Sequence, residues 1–273
     1  MRTLYVTDLD GTLLDTHDRI SPESLRILNG LIERGLPFTY ATARSLESAS
    51  VVTRGLHMTM PVVVYNGAFI VEPGTGKRLS SLFFTAEEAG YVKRVLQGAG
   101  ISPLVYAYVD QVERVSWDTT RENEGIKAYL AKRRGDRRLR PLQGAEGLYD
   151  GEVFYYTCIG EREEMARIQA ILTRDARLRC TMQQELYRPE YWCEIMPCKA
   201  TKAEAIKTLK HLWEFDRVIS FGDAINDIPM FELSDACYAV ENAVPGLKKA
   251  ATGIVEGNDR DGVAKWLQEH AEF

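Results

Sequence analysis

The sequence predicts an α/β fold built on a parallel sheet and interrupted by an inserted α+β unit. Three observations carry this reading. Short apolar runs alternate with helix-like segments through the first third of the 273 residues, the strand and helix rhythm that a parallel sheet requires. From about Thr85 longer amphipathic helices alternate with strands. From Lys202 the first rhythm returns. The expected division is 1–83 with 194–273 as the α/β core and 84–193 as the insert, and the length suits two domains of about 100–150 residues.

Each element has a local cause. Leu4-Tyr5-Val6 is the first apolar run and reads as a strand. Ser21-Pro22-Glu23-Ser24 marks a helix start, with Ser21 as N-cap and Pro22 at the first helical position; Leu25, Ile27, Leu28, Leu31 and Ile32 form its apolar stripe and Gly35 closes it. Strands follow at 37–41 and 62–64, with a helix over 45–56 between them. The insert reads as a helix over 86–97, strands at 102–109, 113–117 and 152–159, a helix over 161–172, and strands at 178–187 and 191–196. Lys132, Arg133, Arg134, Arg137, Arg138 and Arg140 read as a solvated face or loop. The core resumes with a helix over 202–212, a strand at 217–221, a helix over 225–233, a strand at 237–240 and a closing helix over 263–269.

Composition excludes several function classes. Hydrophobic residues make up 45% and charged residues 27%, the balance of a globular chain. Lys plus Arg number 34 against 39 Asp plus Glu, and the net charge of −5 argues against a dedicated nucleic-acid binder, which needs many phosphate-neutralising cations. Five scattered cysteines read as reduced thiols. Asp8 and Asp10 interrupt the N-terminus before a signal-type apolar run develops, and no stretch approaches the about 18 apolar residues of a membrane span, so a cytoplasmic location is expected. Oligomeric state has no signature in the sequence.

Two acidic constellations carry the chemistry. In Asp8-Leu9-Asp10-Gly11-Thr12, residues two apart on an extended chain point the same way, which aims two carboxylates into one space at a strand's carboxyl end. Ligands bind there in open α/β sheets. Phe221-Gly222-Asp223-Ala224-Ile225-Asn226-Asp227 also follows an apolar strand, and its spacing places Asn226 and Asp227 on a first helical turn facing back toward Asp223. A helix cap or a solvated turn explains one acid; four carboxylates converging would repel unless a cation neutralised them, and oxygen-only ligands suit Mg²⁺.

These residues resemble the haloacid dehalogenase (HAD) superfamily of phosphotransferases, with Asp-Leu-Asp-Gly-Thr-Leu at 8–13 and Gly-Asp-Ala-Ile-Asn-Asp at 222–227. Thr42 with Arg44 resembles its second motif, and Lys202 falls where its third-motif lysine is expected, with Lys199 as the rival. Val64-Tyr65-Asn66-Gly67-Ala68, Val240-Glu241-Asn242-Ala243 and Asp259-Arg260-Asp261-Gly262-Val263-Ala264 resemble segments of the Cof-type subfamily. Ala43 and Ala203 stand where that subfamily usually has Gly.

The resemblance implies a Rossmann-like parallel-sheet core with an inserted α+β cap, and a Mg²⁺-dependent phosphatase acting on a small phosphorylated metabolite such as a sugar phosphate. It implies that Asp8 attacks phosphorus to form an aspartyl-phosphate while Asp10 exchanges protons with leaving group and water. Thr42 and Lys202 complete the phosphate cradle. Mg²⁺ would be held by Asp8, the Asp10 backbone carbonyl and Asp223, with Asn226 and Asp227 in support. Arg44 either contacts substrate or pairs with an acidic neighbour, and Asn66 either orients phosphate or holds its turn. The alternatives are a phosphomutase and a non-catalytic phosphate-sensing or protein-binding module on the same fold. The four histidines lack a ligand spacing and take no role.

Overall fold

The computed structural model describes residues 1–184 and 188–273. It divides into two compact units, Met1–Ser81 with Ala200–Phe273, and Leu82–Lys199.

The first unit is organised by a five-stranded sheet in the order Gly253–Val255, Ala236–Val240, Arg217–Gly222, Thr3–Thr7, Phe38–Tyr40, every pair parallel. Thr3–Thr7 is buried at all five positions, as expected of an inner parallel strand with both faces covered. Phe221 stacks on Tyr238 and meets the Trp266 ring edge-on at 5.2 Å. Burying one such ring contributes about 1.5–3 kcal/mol. Helix Pro22–Glu33 starts as its sequence predicts, with the Ser21 hydroxyl accepting from the Ser24 N–H, and Gly35 ends it at φ +98°. Lys202–Leu212 and Gly262–His270 are also helical.

Several elements in this unit were absent from the sequence reading. A hairpin of Phe69–Val71 and Arg78–Ser81 joins Val62–Val64 in a small antiparallel sheet, and Pro245–Ala250 is a short helix. The helix expected over 45–56 is confined to Leu46–Val52. The helix expected over 225–233 opens as a 3₁₀ turn, Ile225–Asp227, and becomes α-helical only over Ile228–Leu233.

The second unit is a six-stranded sheet in the order Leu178–Gln184, Tyr191–Pro197, Glu152–Gly160, Leu104–Val109, Val112–Asp118, Leu139–Leu142. All pairs are antiparallel except the last. Val92, Leu96, Met165, Ile168 and Leu172, from helices Ala86–Gly98 and Arg162–Leu172, pack on Val105, Tyr156, Cys158, Cys193 and Ile195 of the sheet. Tyr191–Pro197 pairs on both sides, so it lies wholly in this unit, whereas the division expected at 193/194 cuts through it. Residues 185–187, the end of the strand expected at 178–187, lie outside the described residues.

The basic stretch is not a solvated loop throughout. Leu139–Leu142 is a strand, and the Arg138 guanidinium, 16% exposed, bonds both Asp136 oxygens and pairs with Glu113 at 2.8 Å. A helix, Glu124–Ala131, precedes it.

Helix Ala86–Gly98 begins with a reciprocal cap: Thr85 accepts from the Glu88 N–H while the Glu88 carboxylate accepts from the Thr85 N–H. Loss of such a cap costs about 1 kcal/mol. Thr85→Ala is expected to lower the unfolding free energy by that amount, seen as a lower urea midpoint with an unchanged denaturant slope.

Candidate active site

Three adjacent parallel strands deliver three candidate site residues to one edge. Asp8 follows Thr3–Thr7, Asp223 follows Arg217–Gly222, and Thr42 lies two residues beyond Phe38–Tyr40. Asp8 is fixed by its N–H, which donates to the Phe221 carbonyl at 3.0 Å. This edge is the carboxyl end of the sheet, where backbone pairing stops and side chains can converge.

Lys202 enters from the first position of its helix, whose N-cap Thr201 accepts from the Glu204 N–H. Its ammonium lies 2.5 Å from Asp8 Oδ1 and 2.8 Å from Asp227 Oδ1. Lys202, Asp8 and Asp227 are 3%, 5% and 0% exposed. Burial works against the Lys202 charge, but the two carboxylates outweigh it and hold its pKa above the usual lysine range. Lys199, the rival cation, is exposed.

Asp227 turns back because the 3₁₀ turn before it closes tightly. Its Oδ2 accepts from the Asp223 and Ala224 N–H groups at 3.1 and 3.2 Å, so both its oxygens are engaged. Asn226, one residue earlier, is exposed. A 3₁₀ turn has about three residues per turn rather than 3.6, and that difference directs Asp227 inward and Asn226 away. Asp223 accepts from the Thr12 hydroxyl at 3.3 Å through Oδ1.

Asp8, Asp223 and Asp227 place carboxylate oxygens within 4.8 Å of one another. One ammonium among three carboxylates leaves a deficit of two positive charges. The electrostatics record it: burial, then Asp227, raises Asp223 to about 6, and burial raises Asp8 despite Lys202. The donor set is all oxygen and carries a surplus of negative charge, the chemistry that suits a hard divalent cation. Asp8 Oδ2 and Asp223 Oδ2 accept no hydrogen bond among the described residues.

Asp10 is placed differently from the sequence expectation of a second inward carboxylate. Its side chain is 47% exposed, lies outside the three-carboxylate group, and is gripped by Arg44, whose Nε lies 3.0 Å from each oxygen and whose Nη2 contacts Oδ1. The same guanidinium reaches Asp18 at 3.2 Å. Asp18 carries no sequence signal for this role, because the contact spans 26 positions. Of the two roles open to Arg44, the structure records the acidic pairing.

Thr42 is fully buried; its N–H donates to Val63, its carbonyl accepts from the Asn66 N–H, and its Oγ1 accepts from the Arg44 N–H. Asn66 occupies the left-handed region at φ 53°, and its side chain has no hydrogen-bond partner among the described residues. Gly67 at φ +98° lets this turn pack on the Lys202 helix, since a Cβ there would lie 2.1 Å from the Thr201 carbonyl oxygen. Neither Ala43 nor Ala203 has a positive φ, so replacing the usual Gly strains nothing.

Gly11 sits at φ +71°, and a Cβ on it would lie 2.5 Å from Asp223 Oδ2. Gly11→Ala must therefore displace either the loop or the carboxylate. An expected loss of about 100-fold in kcat, typical of a displacement near 1 Å, is checked by steady-state kinetics.

A family model described as haloacid dehalogenase-like hydrolase matches residues 5–267. The chain is 25% identical over 281 residues to the 5-amino-6-(5-phospho-D-ribitylamino)uracil phosphatase YitU of Bacillus subtilis, covering 98% of this chain and 97% of the relative. It is 26% identical to the HMP-PP phosphatase of Serratia proteamaculans, covering 98% and 95%. The crystal structure of TM0651 from Thermotoga maritima superposes with a TM-score of 0.80 at 25% identity, covering 100% of this chain and 98% of that one. No helix among the described residues is long and apolar enough to cross a membrane.

Proposed function

Because the chain belongs to the haloacid dehalogenase-like hydrolase family and is a phosphatase of the Cof type, we propose that it hydrolyses a small phosphorylated metabolite, a sugar phosphate or similar, with Mg²⁺ and an aspartyl-phosphate at Asp8. The observation that carries this reading is the buried Lys202 ammonium bridging Asp8 and Asp227 beside Asp223. A buried lysine used only for stability needs one carboxylate; this one leaves an acidic surplus that a divalent cation would offset, so that a phosphoryl group could approach.

Asp8 Oδ2 and Asp223 Oδ2 would hold the metal, with Asp227 supporting from behind and the Asp10 carbonyl completing the set. When bound, Mg²⁺ draws charge from the phosphoryl oxygens and offsets that of the carboxylates.

An Asp8 oxygen attacks phosphorus and the phosphorus–oxygen bond to the leaving group breaks, while Asp10 gives that oxygen its proton. Asp10 then takes a proton from water, whose oxygen attacks the same phosphorus and frees Asp8 and inorganic phosphate. Arg44 pairs with both Asp10 oxygens, and that pair would open for Asp10 to carry the proton. Lys202 balances charge on Asp8 and on the phosphoryl group. Thr42 Oγ1 accepts the Arg44 N–H, which leaves its own proton available for a phosphoryl oxygen.

The test is phosphate release from a panel of sugar phosphates and other metabolite monoesters. Steady release that stops with EDTA and returns with Mg²⁺ is expected. No release from any monoester with Mg²⁺ present would reject the reading.

A further inference from the structure

We propose that Asn242 is a positioning residue that clamps the loop bearing Asp10 by holding the carbonyl of Gly11. The inference rests on the phosphatase reading and adds a residue to it.

The segment after the first strand, Leu9–Leu13, is an irregular turn containing non-helical dihedrals at Asp10 and Gly11. Its position depends on a seam of side chains from the C-terminal part of the chain. The Asn242 Nδ2 group donates to the Gly11 carbonyl at 2.7 Å. Asn258 Nδ2 donates to the Leu14 carbonyl at 2.9 Å, and Asp259 Oδ1 accepts from the Thr16 N–H at 2.9 Å. Asp261 Oδ1 accepts from the hydroxyls of Ser21 and Ser24. The seam uses the two segments, 240–243 and 259–264, that no proposed chemical role has absorbed.

Asn242 differs from the rest of the seam in what it fixes. Its Oδ1 accepts from the Asn258 backbone N–H at 3.0 Å, so the amide is oriented from behind and only its NH₂ group can face Gly11. A peptide unit is planar, so a held Gly11 carbonyl sets the plane that continues into Thr12, whose hydroxyl donates to Asp223. It also fixes the glycine that lies against the Asp223 carboxylate. One exposed amide thereby sets the spacing between the Asp10 loop and the Asp223 loop. Asn242 touches no reacting atom in this account; it acts through Gly11.

The clamp separates from simple fold stability because Asn242 is exposed and tied at only two points, so its loss should leave the sheet intact. Asn242→Ala and Asn242→Asp are made in the full chain and assayed with p-nitrophenyl phosphate at saturating Mg²⁺. Hydrogen exchange is followed over residues 9–16. The expected result for Asn242→Ala is a fall of about tenfold in kcat with KM little changed, faster exchange at 9–16, and unchanged exchange in the central strands. Asn242→Asp should be slower still, because a carboxylate oxygen then opposes the Gly11 carbonyl oxygen.

Wild-type kcat in the alanine variant, or a loss matched by faster exchange across the whole sheet, would overturn the clamp. If the wild type releases no phosphate from any monoester, the phosphatase reading fails on its own. Exchange then judges the clamp: unchanged protection at 9–16 in Asn242→Ala rejects it, and selective loss supports it.

Discussion

Asp8→Asn is expected to abolish turnover while leaving the protein folded. The amide nitrogen and oxygen that replace the carboxylate have no charge to drive attack on phosphorus, and removing the nucleophile of a covalent mechanism costs at least about 10³-fold in kcat. The fold has reason to tolerate the change. Asn is nearly isosteric, its Oδ1 still accepts from Lys202, and Lys202 keeps Asp227 as a charged partner. One negative charge also leaves a buried group in which burial and mutual repulsion raise Asp8 and Asp223. Thermal unfolding without Mg²⁺ is therefore expected at or above the wild-type temperature, with phosphate release at background. A variant retaining a tenth or more of wild-type kcat would remove Asp8 as nucleophile.

The parts of this site that the sequence exposes are those decided by neighbours along the chain. Inner parallel strands are covered on both faces, so Leu4-Tyr5-Val6 appears as an uninterrupted apolar run. An acidic residue directly after such a run is placed at the sheet's carboxyl edge by continuity alone, which is why Asp8 and Asp223 could be read. Lys202 was picked out by its resemblance to the family's third motif, because a lysine standing first in a helix reads by position alone as an ordinary exposed one. The Phe69–Val71 and Gly253–Val255 strands are three residues each, too short for an alternating pattern to emerge.

What escaped the sequence depends on distance or on a fraction of a turn. Arg44 and Asp10 are 34 positions apart, and only the crossover between neighbouring strands brings them together. Asn226 and Asp227 were expected to face Asp223 together, as α-helical spacing implies. The 3₁₀ turn separates them, and the N–H groups of Asp223 and Ala224 select Asp227. The Arg138 pairing likewise joins Glu113 across 25 positions, which no count of basic residues reveals.

Lys202→Met should be the most destabilising single change at the site. It removes the one cation from a buried group and leaves Asp8 and Asp227 without their partner; breaking a buried ion pair from one side costs about 3–5 kcal/mol. The sign of its pH dependence follows from which state binds more protons. Without Lys202, burial and mutual repulsion push the folded-state carboxylate pKa values above their unfolded values, so the folded state binds the extra protons. Stability of the variant then falls as pH rises from the unfolded carboxylate range through the raised folded values, and the deficit against wild type is larger at pH 8 than at pH 5. Urea unfolding at both values checks this. A second substitution isolates the cause: Asp227→Asn in the Lys202→Met background removes one stranded charge and should restore part of the lost stability, a coupling that independent sites do not show. A Lys202→Met protein as stable as wild type at pH 8, or one whose deficit is the same at both pH values, would mean that the ammonium is not what holds these carboxylates together.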